Sequence, residues 1–396
     1  MAAGRWPAIL VIYAIGLLAS AQLGKFAALV PVIQPDLGLD LTAAAVLVSL
    51  IETGGAAIGL FAGAIVGRYG TRAMLAAGLA LLAIAGIGEA AAPTVTALFA
   101  WRLVESLGYL AIVVAAPTLM ALVATPAQRA TAMALWSTFF PVGFALGSVL
   151  AGLMAPALSW RPVLAASATI ATVALAVIWF LPRPDTERRR GPMAPAGMPA
   201  PPVWWLSLGF GCYTIFAVGQ IALLPSYLAD RLGLTPAAAG LVTGLASFAT
   251  VAGGLAAARL MRHRARLPAI LGVSIVVPAA MLFGVFGWSG SIEVAALATV
   301  LNVITGIVPA VAFARLPDLA PTAAAVARAN GLLAQCGAAG SLVGPPAYAA
   351  AIGLGGWPGA ATAGAIASAL ALGLLLAALR HPVQGRRMTA GSTGSA

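Results

Sequence analysis

Two residues in one apolar stretch carry the first chemical signal. Leu98–Ala116 is apolar enough to sit in lipid, yet it holds Arg102 and Glu105. A charge near the middle of a bilayer helix costs roughly 2.5–3.5 kcal/mol on insertion scales. Spaced three apart, the two fall on one helix face. That face belongs toward a bundle interior or a water-filled cavity, where it forms the polar floor of a pathway. Lys25 and Glu52 also fall inside apolar runs. Two cations balance two carboxylates, so mutual pairing accounts for all four as structural ties. The chemical alternative is that Lys25 and Arg102 attract an anionic solute while a carboxylate carries a proton. Glu105 is the first choice for that carrier and Glu52 the second. Burial and a neighbouring cation act on a carboxylate's proton in opposite senses, so an arriving solute alters the balance.

Uncharged candidates surround this set. Gln22 lies three residues before Lys25 and shares its face, and Tyr109 lies four after Glu105. Gln220, Asn302 and Gln335 are polar groups in apolar runs and need partners there. Trp136, with Phe139 and Phe140, supplies an aromatic wall. For each of these, an interhelical hydrogen bond or plain packing is the alternative to solute contact.

The elements that position these residues follow from composition. Of 396 residues, 62% are hydrophobic and only 8% charged, with mean hydropathy +1.02. A soluble domain carries about 25% charged residues, so this is a polytopic membrane protein. The apolar runs are continuous rather than alternating, which excludes a barrel. The net charge of +11 does not mark a nucleic-acid surface, because the basic residues cluster in alternate loops. The two cysteines, Cys212 and Cys336, lie in apolar segments and read as small buried residues, not a disulfide or a metal pair. No catalytic constellation, metal cluster or phosphate-binding loop can be assembled, so neither enzyme chemistry, a cofactor nor ATP is expected. The N-terminal run reads as a spanning helix, not a cleaved leader.

Twelve spans are expected, near 7–30, 42–66, 73–92, 95–123, 132–155, 163–181, 204–228, 237–258, 267–288, 291–314, 326–352 and 357–379. They form two bundles, 1–181 and 204–380. Residues 182–203, with seven prolines and four arginines, read as a solvated linker. Residues 381–396 read as a disordered tail. With both termini in the cytoplasm, nearly all arginines lie inside. Arg161 and Arg231 fall outside, and Asp36, Asp40, Glu89, Asp230 and Glu293 lie at the outer side. An offset of 194 residues brings Pro31 onto Pro225, Asp36 onto Asp230, and Arg68 and Arg72 onto Arg262 and Arg266. That is an internal duplication of six spans, related by an axis along the membrane normal.

Gly63-Ala-Ile-Val-Gly-Arg-Tyr-Gly-Thr-Arg72 resembles the loop between spans 2 and 3 of the major facilitator superfamily. Gly63, Arg68, Gly70 and Arg72 match its G-x-x-x-D-R-x-G-R-R pattern, while Gly67 and Thr71 depart from it. Arg102-Leu-Val-Glu-Ser-Leu-Gly108 is similar to the family's span-4 pattern. Pro141, Gly143, Gly147 and Gly152, and in span 11 Gly337, Gly340, Gly344, Pro345 and Pro346, are akin to its Gly/Pro-rich spans. Within the family, the stretch from Ala21 to Leu41 and Val113–Pro117 resemble the cyanate-permease-like branch. The resemblance implies two six-helix halves rocking around a central site in the cell inner membrane. It implies a gating role for the Gly63–Arg72 loop and a monomer. Proton-coupled uptake (symport) of a small organic anion is the expected activity. Proton-driven efflux of drug-like compounds and a non-transporting sensor or scaffold are the alternatives.

Overall fold

The computed structural model describes residues 5–181, 198–262, 266–320 and 322–380. The expected tail lies outside the described residues, as does most of the expected linker. Fifteen α-helices are described, in chain order: α1 (Trp6–Leu37), α2 (Leu41–Ser49), α3 (Thr53–Tyr69), α4 (Thr71–Ala91), α5 (Val95–Val123), α6 (Pro126–Trp136), α7 (Phe139–Leu158), α8 (Trp160–Val177), α9 (Pro201–Asp230), α10 (Pro236–Leu260), α11 (Leu267–Val285), α12 (Ser291–Thr305), α13 (Ile307–Leu319), α14 (Ala323–Gly355) and α15 (Trp357–Leu379). Among the described residues, eleven segments are long and apolar enough to cross a bilayer. The 33-residue α14 takes the twelfth place. Helix α9 begins at Pro201, inside the stretch expected to be linker.

Some of the expected single spans are composite. Span 2 is α2 and α3 joined by a tight 3₁₀ turn, Leu50–Glu52. Span 5 is α6 and α7, and span 10 is α12 and α13, divided at Gly306. Local chemistry sets several ends. Helix α1 runs through Pro31 and Pro35 and stops where Gly38 turns left-handed at φ 62°. Asp40 then caps α2, accepting from the Ala43 N–H at 2.6 Å. Thr94, Thr235 and Thr322 cap α5, α10 and α14 in the same way.

Each half packs on small residues. Helix α1 lies along α7, and α9 lies along α14. A Cβ on Gly24 would strike the Phe144 carbonyl, and one on Gly340 the Gly211 carbonyl. Backbones approach this closely only where side chains are absent. The ends of the halves that carry Gly38 and Gly233 close alike. The Trp160 indole donates to Asp36 at 2.8 Å, and the Trp357 indole donates to Asp230 at 3.2 Å. Asp36 and Asp230 are the pair that the 194-residue offset superposes.

The halves meet chiefly along two seams, α7 with α10 and spans 2 with 11, and also where α1 meets α9 and α10. Both seams are closed toward the bundle end that carries Gly38 and Gly233. On the first, Gly152 lies against Pro236 and Gly240, and the Ser247 hydroxyl donates to the Pro141 carbonyl at 3.0 Å. On the second, Gly55 faces Ala338 and Gly59 faces Gln335. Farther along α3, toward the end that carries Gly70, a Cβ on Gly63 or Gly67 would meet nothing within 4 Å.

Candidate functional site

Four charged side chains and one amide gather inside the first half. The Lys25 ammonium donates to Glu105 Oε1 at 3.2 Å and to Gln22 Oε1 at 2.5 Å. It also lies 3.5 Å from Glu89 Oε2. Arg102 pairs with Glu105 and donates to the carbonyls of Leu47 at 3.0 Å, Val48 at 3.0 Å and Gln22 at 3.2 Å. Its guanidinium sits 4.1 Å from the Phe26 ring centroid. Ser167 donates to Gln22 Oε1 at 2.9 Å. Lys25, Glu89, Arg102 and Glu105 are all buried, Arg102 and Glu105 completely. Two cations and two carboxylates balance, and hydrogen bonds occupy the Arg102 fork; Glu89 is the exception, with both carboxylate oxygens buried and without a hydrogen-bond partner.

Glu89 joins this set although the sequence reading gives it no part in it. It is fully buried on α4 against Lys25, two residues from the end of that helix.

All partners of Lys25 and Arg102 given above belong to α1, α2, α4 and α5, so this cluster ties together helices of one half. Arg102 does so at a weak point in span 2. The Leu47 and Val48 carbonyls stand just before the 3₁₀ turn, where the four-residue ladder tightens to three. The guanidinium supplies donors there.

Glu52 stands apart. It ends that tight turn, is 5% exposed, and accepts from the Tyr109 hydroxyl at 3.2 Å. Tyr109 therefore meets Glu52 rather than Glu105, although it lies one turn from Glu105 on α5. No ion pair reaches Glu52 among the described residues. The turn packs against α5 of its own half and α14 of the other, so Glu52 lies beside the seam.

The second half holds a neutral counterpart. Gln220 on α9 donates to Asn302 Oδ1 on α12 at 3.1 Å, and Asn302 donates to the Ala298 carbonyl at 2.8 Å. Gln220 Oε1 is buried without a hydrogen-bond partner. Gln335 reaches across the seam to span 2. Trp136 covers Gly16 and stacks on Phe139, with ring centroids 4.4 Å apart. The structure thus joins Gln22, Lys25, Arg102 and Glu105 in one cluster and Glu52 with Tyr109 in another. Gln220 with Asn302, Gln335 and Trp136 occupy separate places.

In the loop between spans 2 and 3, Gly70 has φ 86°, a conformation that L side chains rarely adopt. Arg72 donates to the Leu181 and Trp179 carbonyls at 2.9 and 2.7 Å, fastening the start of α4 to the end of span 6. Arg68 lies over the neighbouring Tyr69 ring at 5.6 Å.

Comparison with known proteins agrees with this architecture. The Major Facilitator Superfamily model matches residues 12–292 and again 206–393. A bacterial homolog of the human lysosomal transporter Spinster, solved in an inward-facing, occupied conformation, superposes with TM-score 0.74 over 95% of both chains at 16% identity. Its inward-facing, unoccupied form superposes with TM-score 0.71 over 96% of both chains at 14% identity. The puromycin resistance protein pur8 of Streptomyces alboniger is 28% identical over 191 residues, 47% of this chain. The matched stretch spans 37% of that protein's length. Family, fold and spans agree, and the chain belongs to the major facilitator superfamily, whose members are transporters rather than enzymes.

Proposed function

We propose that this chain is a proton-linked secondary transporter that exports small cationic or amphipathic organic compounds by alternating access. The carrying observation is Glu52, a buried carboxylate beside the seam between the halves, hydrogen-bonded to Tyr109 and free of any ion pair among the described residues. It can gain and lose a proton, or exchange it for a cationic solute, without breaking a salt bridge. Glu105 cannot, because Lys25 and Arg102 both hold it. Likeness to a puromycin resistance protein supports the export direction. The aromatic group Trp136, Phe139 and Phe140 suits an amphipathic solute. Gln220 and Asn302 offer neutral hydrogen bonds from the other half.

A second reading is proton-coupled uptake of a small organic anion, with Lys25 and Arg102 as the attracting pair and Glu105 as proton carrier. The presence of two cations in the membrane interior favours it, as does the cyanate-permease-like resemblance. It requires the solute to displace from Lys25 either Glu105 or Glu89, whose two carboxylate oxygens are buried without a hydrogen-bond partner. A sensor or scaffold without flux is the remaining alternative.

The arginine bias supports putting the Gly70 end and both termini in the cytoplasm, and the family resemblance supports an inner-membrane monomer. The form described here, closed at the Gly38 end, is then the inward-facing one.

A thermal-shift panel separates the readings, because a ligand that binds only the native state raises Tm by mass action. Tetraphenylphosphonium should stabilise the purified protein, and Glu52→Gln should abolish the shift. Stabilisation by benzoate alone, lost on Lys25→Ala, would support the anion reading instead.

A further inference from the structure

Gln335 makes an unusual contact. Its carboxamide crosses from α14 to one turn of α3 in the other half. Oε1 accepts from the Leu60 N–H at 3.0 Å, and Nε2 donates to the Ala56 carbonyl at 2.8 Å. These two backbone groups lie four residues apart, the spacing that an α-helix joins directly. The amide therefore offers span 2 a substitute for its own ladder bond. When Gln335 leaves, Leu60 N–H and Ala56 C=O have each other, and neither is stranded in an apolar setting where an unpaired polar group is costly. A contact whose release leaves no orphan on the backbone side can be made and broken cheaply.

Its place on the seam gives that property a use. Glycines flank the engaged turn: a Cβ on Gly55 would lie 2.8 Å from Ala338 Cβ, and one on Gly59 would lie 3.1 Å from Gln335 Cβ. The two helices can approach this closely only because those side chains are missing. One turn farther on, the seam ends: Gly331 meets Leu60, while Gly63 and Gly67 face open space. Gln335 thus sits within the closed part of the seam, near where the halves part. The other seam has a matching tie. By the 194-residue offset, the counterpart of Gln335 is Pro141, whose carbonyl accepts from Ser247 at 3.0 Å across α7 and α10.

We propose that Gln335 is a reversible latch that stabilises the form closed at the Gly38 end, by pairing its amide with the Ala56–Leu60 turn of span 2. The proposal rests on the alternating-access reading and concerns the balance between its two states, not the solute. Removing the latch gives up two amide hydrogen bonds and returns one ladder bond, a net loss of one hydrogen bond from one state only. That shifts the ratio of states by about tenfold toward opening at the Gly38 end.

The test is pulsed electron spin resonance on the full chain in nanodiscs, in a Cys212→Ser/Cys336→Ser background. One spin-label pair, at Thr42→Cys and Leu354→Cys, reports the Gly38 end. A second, at Gly67→Cys and Asn330→Cys, reports the Gly70 end. Gln335→Met keeps the volume and removes the amide. Gly59→Ala leaves the amide in place, favours helix, and crowds the contact from the opposite side. Each should raise the population with long distances at the Gly38 end and short distances at the Gly70 end by about tenfold over the parent. Two populations in the parent with ratios unchanged in both variants would overturn the latch and leave alternating access standing. One population in every protein, with and without tetraphenylphosphonium, would overturn alternating access and the latch with it.

Discussion

Arg102 of α5 donates through Nε to the Leu47 carbonyl of α2, 3.0 Å away, five residues before Glu52. A second arm reaches the Val48 carbonyl. The charged cluster and the lone carboxylate are therefore linked mechanically. Lys25 and Arg102 hold Glu105, Arg102 holds the end of α2, and the tight turn that follows presents Glu52 to Tyr109 and the seam.

Removing Arg102 should cost far more than one contact. Arg102→Ala strips Glu105 of its closest cation and removes a donor from the carbonyls of Leu47, Val48 and Gln22, a loss of about 3–5 kcal/mol. Arg102→Lys should recover little, since an ammonium cannot span the Leu47 and Val48 carbonyls in the guanidinium's planar fork. Adding Glu105→Gln to Arg102→Ala should cost less than the sum of the single changes, because it removes the uncompensated charge. Urea or thermal unfolding in detergent reads all three.

The glycines divide into tight and open positions. Gly24→Ala sets a Cβ against the Phe144 carbonyl, with backbone on both sides. A loss of about 1–3 kcal/mol is expected. Gly63→Ala meets nothing within 4 Å and sits in a helix, so stability should hold or rise by about 0.5–1 kcal/mol. Tm measured on the two variants side by side checks the contrast. Equal losses would contradict the packing of α1 on α7.

The matching indole ties should behave unequally. Trp357→Phe keeps the ring packing and deletes one hydrogen bond to Asp230, for about 1 kcal/mol. Trp160→Phe does the same to Asp36, but the Arg161 guanidinium, 3.6 Å from Asp36, retains part of the tie. That pair is about half exposed and contributes little by itself. The first change should therefore destabilise at least as much as the second, and thermal unfolding of both variants decides it.

How much of this could be read in the chain depends on the range of each interaction. Hydropathy and the 194-residue offset give the two-half plan, because both are properties of long segments. The pairing of Arg102 with Glu105, and of Gln22 with Lys25, is local: a three-residue spacing on a helix is enough. Tyr109 shows the limit. Its spacing points to Glu105, but its hydroxyl turns to Glu52 on another helix, a choice made by tertiary packing. Gln335 was recognisable as a polar group needing a partner, yet that partner lies 275 residues away in the other half. Glu89 was left out of the buried charged set because nearness to a helix end in sequence does not fix burial in a bundle.

The central claim is that a proton gradient drives an organic cation through this protein by way of Glu52. The direct measurement is tetraphenylphosphonium flux in proteoliposomes with an imposed pH gradient and no membrane potential, alongside benzoate flux. The account predicts gradient-driven movement of the cation. In Glu52→Gln that movement, and exchange of labelled for unlabelled cation with it, falls at least about tenfold. Gradient-driven benzoate flux that is indifferent to Glu52→Gln and lost in Lys25→Ala or Arg102→Ala would contradict it.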